Sequence, residues 1–115
     1  MKPSPTRNLA IACSLTTMVV ASAQDSTPGE RGTRIYAEQK CSVCHSIAGK
    51  GNAKGALDDV GSRLNAEGIR QWIINPAEMT KKSKAERKPA MRAYPNLSKD
   101  DLEGLVAYML SLKKK

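Results

Sequence analysis

The side chains best suited to chemistry stand together in Cys41-Ser42-Val43-Cys44-His45. The spacing is C-x-x-C-H, the attachment signal for a c-type haem. Two thiols on one helical turn can each add to a vinyl group of the porphyrin, and the adjacent histidine then lies beneath the iron. These residues therefore predict one covalently tethered haem c, held through Cys41 and Cys44 and ligated by His45.

Other uses of the same residues fit the chain less well. A structural zinc site takes four protein ligands, whereas beyond residue 23 the cysteines and histidines are Cys41, Cys44 and His45 alone. A thioredoxin-like dithiol expects a βαβ setting, and no strand-like alternation flanks this pair. Glycines at 49, 51, 55 and 61 match neither P-loop nor dinucleotide spacing.

The elements that must position the motif read as helices and loops, with one domain and no repeats. Thr27-Pro28-Gly29-Glu30 makes a capping box with proline at the first helical position, so a helix is predicted from there to about Lys40. Gly32, three and four residues before Ile35 and Tyr36, leaves room for a second helix to cross closely. Residues 46–61 read as a loop long enough to wrap around something. Residues 65–74 carry Ile69, Trp72 and Ile73 at helical spacing. Asn75-Pro76 ends that helix, and Asn75 is a candidate cap for a further turn through Met79. Residues 81–88 hold five basic residues and one acidic residue, a solvated connector that can also serve as a docking face. Ser98-Lys99-Asp100-Asp101 predicts a second capping box and a last helix to about Leu112. Leu102, Leu105, Val106, Met109 and Leu112 form its apolar stripe. Lys113 to Lys115 suit the negative end of its dipole.

The first residues have another purpose. Lys2 and Arg7 precede an apolar run over residues 9–20, and Ala21-Ser22-Ala23 is a small-residue cleavage site, the layout of a secretory signal peptide. The run is shorter than the roughly 20 residues of a spanning helix; an uncleaved anchor is the alternative. Cys13 lies within the run and leaves with it. The expected division is a signal at 1–23 and one haem domain at 24–115. Loss of Lys2 and Arg7 takes the net charge from +8 to +6. A basic surface suits an acidic protein or an anionic membrane; export and the lack of an aromatic-interleaved basic run exclude nucleic acid. The chain has no Phe and one Trp, so a buried haem would supply apolar volume that a domain of this size needs.

Iron bound by His45 has a second side, and His45 is the sole histidine. A methionine, a lysine or an open site can stand there, and a thioether gives the higher potential suited to electron transfer. Met109 lies on the apolar stripe of the last helix, a packing position. Met91 stands in an extended, proline-flanked stretch free of helix geometry and is the preferred ligand, with Met79, a lysine or an open site as alternatives.

Taken together the chain resembles a small monohaem class I cytochrome c of the bacterial periplasmic type. The resemblance rests on Gly32 and Tyr36 ahead of the C-x-x-C-H motif, Trp72-Ile73-Ile74-Asn75-Pro76, Met91, and the span from Leu97-Ser98 to Tyr108-Met109. It implies an all-α cytochrome c fold of three main helices and loops wrapped around one haem. The N- and C-terminal helices would cross, with Gly32 and Tyr36 facing Leu105 and Tyr108. It implies axial ligation by His45 and Met91, Trp72 lining the haem, and Arg63 pairing with a propionate. The family often has a proline in the loop after the motif, where a carbonyl accepts the histidine Nδ1–H; here Lys54-Gly55-Ala56-Leu57 stands there, which puts the placement of that carbonyl in doubt.

The function these features predict is a periplasmic, monomeric one-electron carrier serving acidic redox partners, without stable membrane insertion and without an enzymatic step of its own. A dedicated redox subunit of a larger dehydrogenase or oxidase is the first alternative. A high-spin peroxidase or gas sensor with an open distal site is the second, and no further histidine exists to act as its acid–base group.

Overall fold

Helix α1 (Pro28–Glu38) starts at the expected box. Glu30 N donates to Thr27 Oγ1 at 3.3 Å and Thr27 N donates to the Glu30 carboxylate at 2.9 Å. The computed structural model describes residues 1–5, 14 and 27–115. The apolar run and cleavage site read at residues 9–23, Cys13 included, lie outside them apart from Ser14.

Helix α5 (Lys99–Ser111) packs along α1. A Cβ on Gly32 would run into the Gly104 carbonyl oxygen and come within 2.5 Å of Tyr108 Cβ, and one on Gly104 would crowd Arg31 at 3.0–3.1 Å. The two glycines thus set how closely the helices approach. Tyr108 faces Gly32 as expected, but the nearest partner is Gly104, while Leu105 is buried in the core. Tyr36 and Tyr108 meet edge to face, with centroids 6.0 Å apart at 81°, a favoured aromatic geometry. The Tyr36 hydroxyl is buried without a hydrogen-bond partner; burial first, then nearby Cys41, pushes its pKa up to about 12. The second capping box is only half made. Asp101 N donates to Ser98 Oγ at 3.1 Å, but the Asp101 carboxylate turns to Arg31 and Arg34 of α1, at 3.4 and 3.7 Å. Aspartate is one methylene shorter than the glutamate such a box prefers, and two cations lie across the interface.

Between these helices run α2 (Val60–Arg63), α3 (Ala66–Ile74) and α4 (Pro76–Ser83). Asn65 caps α3, accepting from Gly68 N at 2.8 Å. Ile69 and Ile73 join Ile35, Val60, Leu105, Val106 and Met109 in the core. Arg70 ties α3 to α5 by donating from Nε and Nη2 to the two Glu103 oxygens at 2.8 and 2.9 Å. Those bonds hold the Glu103 carboxyl below its usual range. The chain end is fixed on α2: Gly61 N donates to the Leu112 carbonyl at 2.8 Å, and Lys113 Nζ donates to the Gly61 carbonyl at 3.0 Å.

Several expectations change. Helix α4 continues past Met79 to Ser83, so the start of the basic connector is helical, and the Asn75 side chain does not cap it; Pro76 at the first position starts the helix instead. The loop at 46–61 contains a small antiparallel hairpin, β1 (Ser46–Ile47) and β2 (Lys50–Gly51), with Ser46 opposite Gly51 and Ile47 opposite Lys50. A 3₁₀ turn, Ala53–Gly55, follows before α2. The described residues thus hold five α-helices rather than three main ones, in a fold that is all-α but for this hairpin. Among the described residues, no helix is long and apolar enough to cross a membrane.

The α1–α5 contact makes a direct prediction. Gly32→Ala forces a methyl group into backbone and should cost about 1–3 kcal/mol, the usual penalty for overpacking. Gly29, with nothing within 4 Å of its would-be Cβ, should be neutral to alanine or gain up to about 1 kcal/mol. Urea unfolding of both variants checks this, and equal stabilities would contradict the close approach.

Candidate haem site

The motif begins at Lys40, whose left-handed conformation (φ 55°) breaks α1 and starts a 3₁₀ turn over Cys41–Val43. Cys44 N and His45 N both donate to the Cys41 carbonyl, at 3.1 and 2.9 Å. Side chains three apart in a 3₁₀ turn are eclipsed, so the thiols of Cys41 and Cys44 share one side. Both are half-buried and free. Burial pushes the Cys41 thiol pKa up, against the opposing charge of Arg92.

The loop that follows folds back and closes over the motif. Asn52 N donates to the carbonyls of Ser42 (3.1 Å) and His45 (2.9 Å), and Asn52 Nδ2 donates to Val43 at 3.3 Å. The Cys44 carbonyl accepts from the Arg87 guanidinium. Each carbonyl from Ser42 to His45 is therefore satisfied from outside the turn, as backbone freed from regular structure requires. Such contact demands bare backbone: Gly51 has φ 109°, and a Cβ on it would strike the His45 carbonyl and sit 3.0 Å from that of Ser42.

His45 shows what the loop accomplishes. Its Nδ1 lies 2.9 Å from the Gly55 carbonyl oxygen. A carbonyl only accepts, so the proton is on Nδ1 and the lone pair of the neutral ring is on Nε2, where a metal can take it. Burial lowers the imidazole pKa, the charge of Arg87 lowers it further, and the Gly55 bond works the other way. The carbonyl that the missing proline left uncertain is thus present, supplied by Gly55.

The remaining candidates are spread around this centre. Met91 is half-buried in the stretch after α4. Its neighbour Arg92 donates from Nε to the Tyr94 hydroxyl at 3.3 Å and sits 5.3 Å over the Tyr94 ring. Tyr94 N in turn donates to the Ile73 carbonyl at 2.9 Å, so this stretch is fixed between the motif and the end of α3. Met79 is half-buried on α4. Met109 is 6% exposed in the core, the packing position expected of it. Trp72 is half-buried on α3. Arg63 is exposed on α2, donating to Asp59 at 2.9 Å.

Sequence reasoning missed Asn52 and Arg87, and left the carbonyl that accepts from His45 uncertain within Lys54-Gly55-Ala56-Leu57, where Gly55 supplies it. The glycines of the loop were a signal for close backbone approach; nothing local marks Arg87, 43 residues from its acceptor. Among the described residues no group of three or more His, Cys, Asp or Glu side chains converges as a metal site, so the zinc reading gains nothing. Two free thiols on one side of a turn to add to the vinyl groups, and a neutral imidazole with Nε2 left to donate, are what a haem c asks of the chain.

Comparison with known proteins agrees. The family model for cytochrome c matches residues 29–113. Cytochrome c oxidase subunit 2 of Alkalihalophilus pseudofirmus is 32% identical over 96 residues, covering 76% of this chain. The chain spans only 26% of that relative's length. No solved structure matches the chain significantly. The family match takes in both terminal helices, the motif and the loop that clasps it, so this chain belongs to the cytochrome c family.

Proposed function

We propose that the protein is an exported, monomeric one-electron carrier of the bacterial periplasm, with a single haem attached through Cys41 and Cys44 and ligated by His45 and Met91. The observation that carries this reading is the His45 Nδ1–H donated to the Gly55 carbonyl, which leaves Nε2 free to donate in a motif whose two thiols are also free. When bound, the haem supplies a ferric/ferrous couple. The chain's own task would be to hold that group through Cys41, Cys44, His45 and Met91 and to present a surface to partners. Met91 is favoured over Met79 because it belongs to irregular backbone fixed on both flanks, whereas Met79 is bound to the geometry of α4. Trp72 contributes apolar surface with an indole N–H at its edge, and Arg63 is the candidate cation for a propionate. With His45 and Met91 both holding the iron, no position there would be left open to a substrate, and the protein would perform no chemistry beyond electron transfer.

A second reading rests on the oxidase subunit that the chain resembles over part of that protein's length: a redox subunit docked on a larger dehydrogenase or oxidase. Co-purification with such a complex at physiological salt, rather than as a free monomer, would favour it.

Two outcomes test the carrier. The oxidised protein should be low-spin with a sulfur-to-iron charge-transfer band, and Met91→Ala should abolish that band while Met79→Ala leaves it. A high-spin wild type that binds carbon monoxide readily would overturn the ligation. Lys81, Lys82 and Lys84 are exposed and basic, suited to steering an acidic partner. Neutralising all three should flatten the salt dependence of the electron-transfer rate by about two- to tenfold at low salt, measured by stopped flow. An unchanged dependence would exclude that surface.

A further inference from the structure

Arg87 lies in an exposed stretch, residues 84–90, with no regular structure, yet its guanidinium reaches back to the haem motif. Nη2 donates to the Cys44 carbonyl. The same group lies against Gly55: a Cβ there would come within 2.9 Å of Arg87 Cζ, and closer still to Nη1 and to the Cys44 carbonyl oxygen. Gly55 is also the residue whose carbonyl accepts the His45 Nδ1–H. One cation therefore touches the residue before the histidine and the residue that orients it, and its charge is felt at the imidazole.

Two consequences follow from elementary chemistry. A loop glycine has more backbone freedom than any other residue, so a carbonyl on Gly55 needs restraint from elsewhere, and a guanidinium seated on it is such a restraint. A guanidinium also stays charged at all working pH values. A fixed positive charge beside the proximal ligand disfavours the more positive ferric state and stabilises the ferrous one.

We propose that Arg87 is the positioning residue of the proximal side: seated on Gly55 and bonded to Cys44, it restrains the His45 acceptor and raises the reduction potential. The proposal rests on His45 being the iron ligand.

The test is a spectroelectrochemical titration of the haem-loaded wild type beside Arg87→Gln, Arg87→Lys and Lys99→Gln. The last removes the same unit charge from an exposed lysine at the start of α5. At the wild-type midpoint, Arg87→Gln should raise the ferric-to-ferrous ratio from one to about three, ~28 mV at 59 mV per tenfold for one electron. Arg87→Lys, which keeps the charge, should stay within about twofold of wild type, and Lys99→Gln should move less than Arg87→Gln. An unchanged ratio in Arg87→Gln, a shift in Lys99→Gln of equal size, or a threefold shift in Arg87→Lys would overturn the proposal. Should the glutamine variant fail to load haem, Arg87→Met takes its place, with the same threefold rise expected and an unchanged ratio overturning the proposal. A wild type without low-spin haem would instead overturn the ligation itself, so the two failures are distinguishable.

Discussion

The hydrogen bond from His45 Nδ1 to the Gly55 carbonyl is the contact on which the site depends. It fixes the tautomer, the ring orientation and the basicity of the one histidine available, the part that outer partners of metal ligands generally play. The chain from 46 to 57 exists in the form it does because that carbonyl must be brought back to the motif. The hairpin turns through Ala48 and Gly49, both at positive φ. Asn52 then ties three motif carbonyls, and the 3₁₀ turn ends on Gly55. Further along, Leu57 N donates to the Ser46 carbonyl at 2.8 Å, locking the loop onto its own start.

The frame around this loop is built from small economies of space rather than a large interior. Its core is mostly aliphatic, with two glycines letting α1 and α5 approach and a tyrosine pair filling the space beside them. Ion pairs such as those of Arg31, Arg34 and Asp101 run across the same interface, but they are partly exposed, and pairs of that kind contribute little individually. Bidentate Arg70 and Glu103 have the better geometry, and what they chiefly add is a fixed register between α3 and α5.

Helices α1, α3 and α5 and the haem motif were legible in the residues, because caps and periodicity are local, whereas α2 was not read and α4 only as a turn. Thr27 with Glu30, Asn65, and the stripe from Leu102 to Met109 each announce an element within a few positions. What was not legible depends on contacts between distant segments. Gly104 drew no reading from the sequence, and only α1 packed against it gives it a role. The Asp101 carboxylate left its own capping box for cations on another helix, which no local pattern predicts. The hairpin at 46–51 has strands of two residues each, too short for alternation to register. Arg87 shows the same limit at the site: residues 54–57 were marked for the carbonyl that His45 needs, but not Gly55 as its owner, nor the cation that lies against it.

Nuclear magnetic resonance of the reduced, haem-loaded protein would show whether the Gly55 carbonyl orients the His45 ring. With the imidazole and backbone isotopically labelled, the account predicts a slowly exchanging His45 Nδ1 proton with a through-hydrogen-bond coupling to the Gly55 carbonyl carbon. A proton that exchanges freely with solvent, or couples to a different carbonyl, would contradict it.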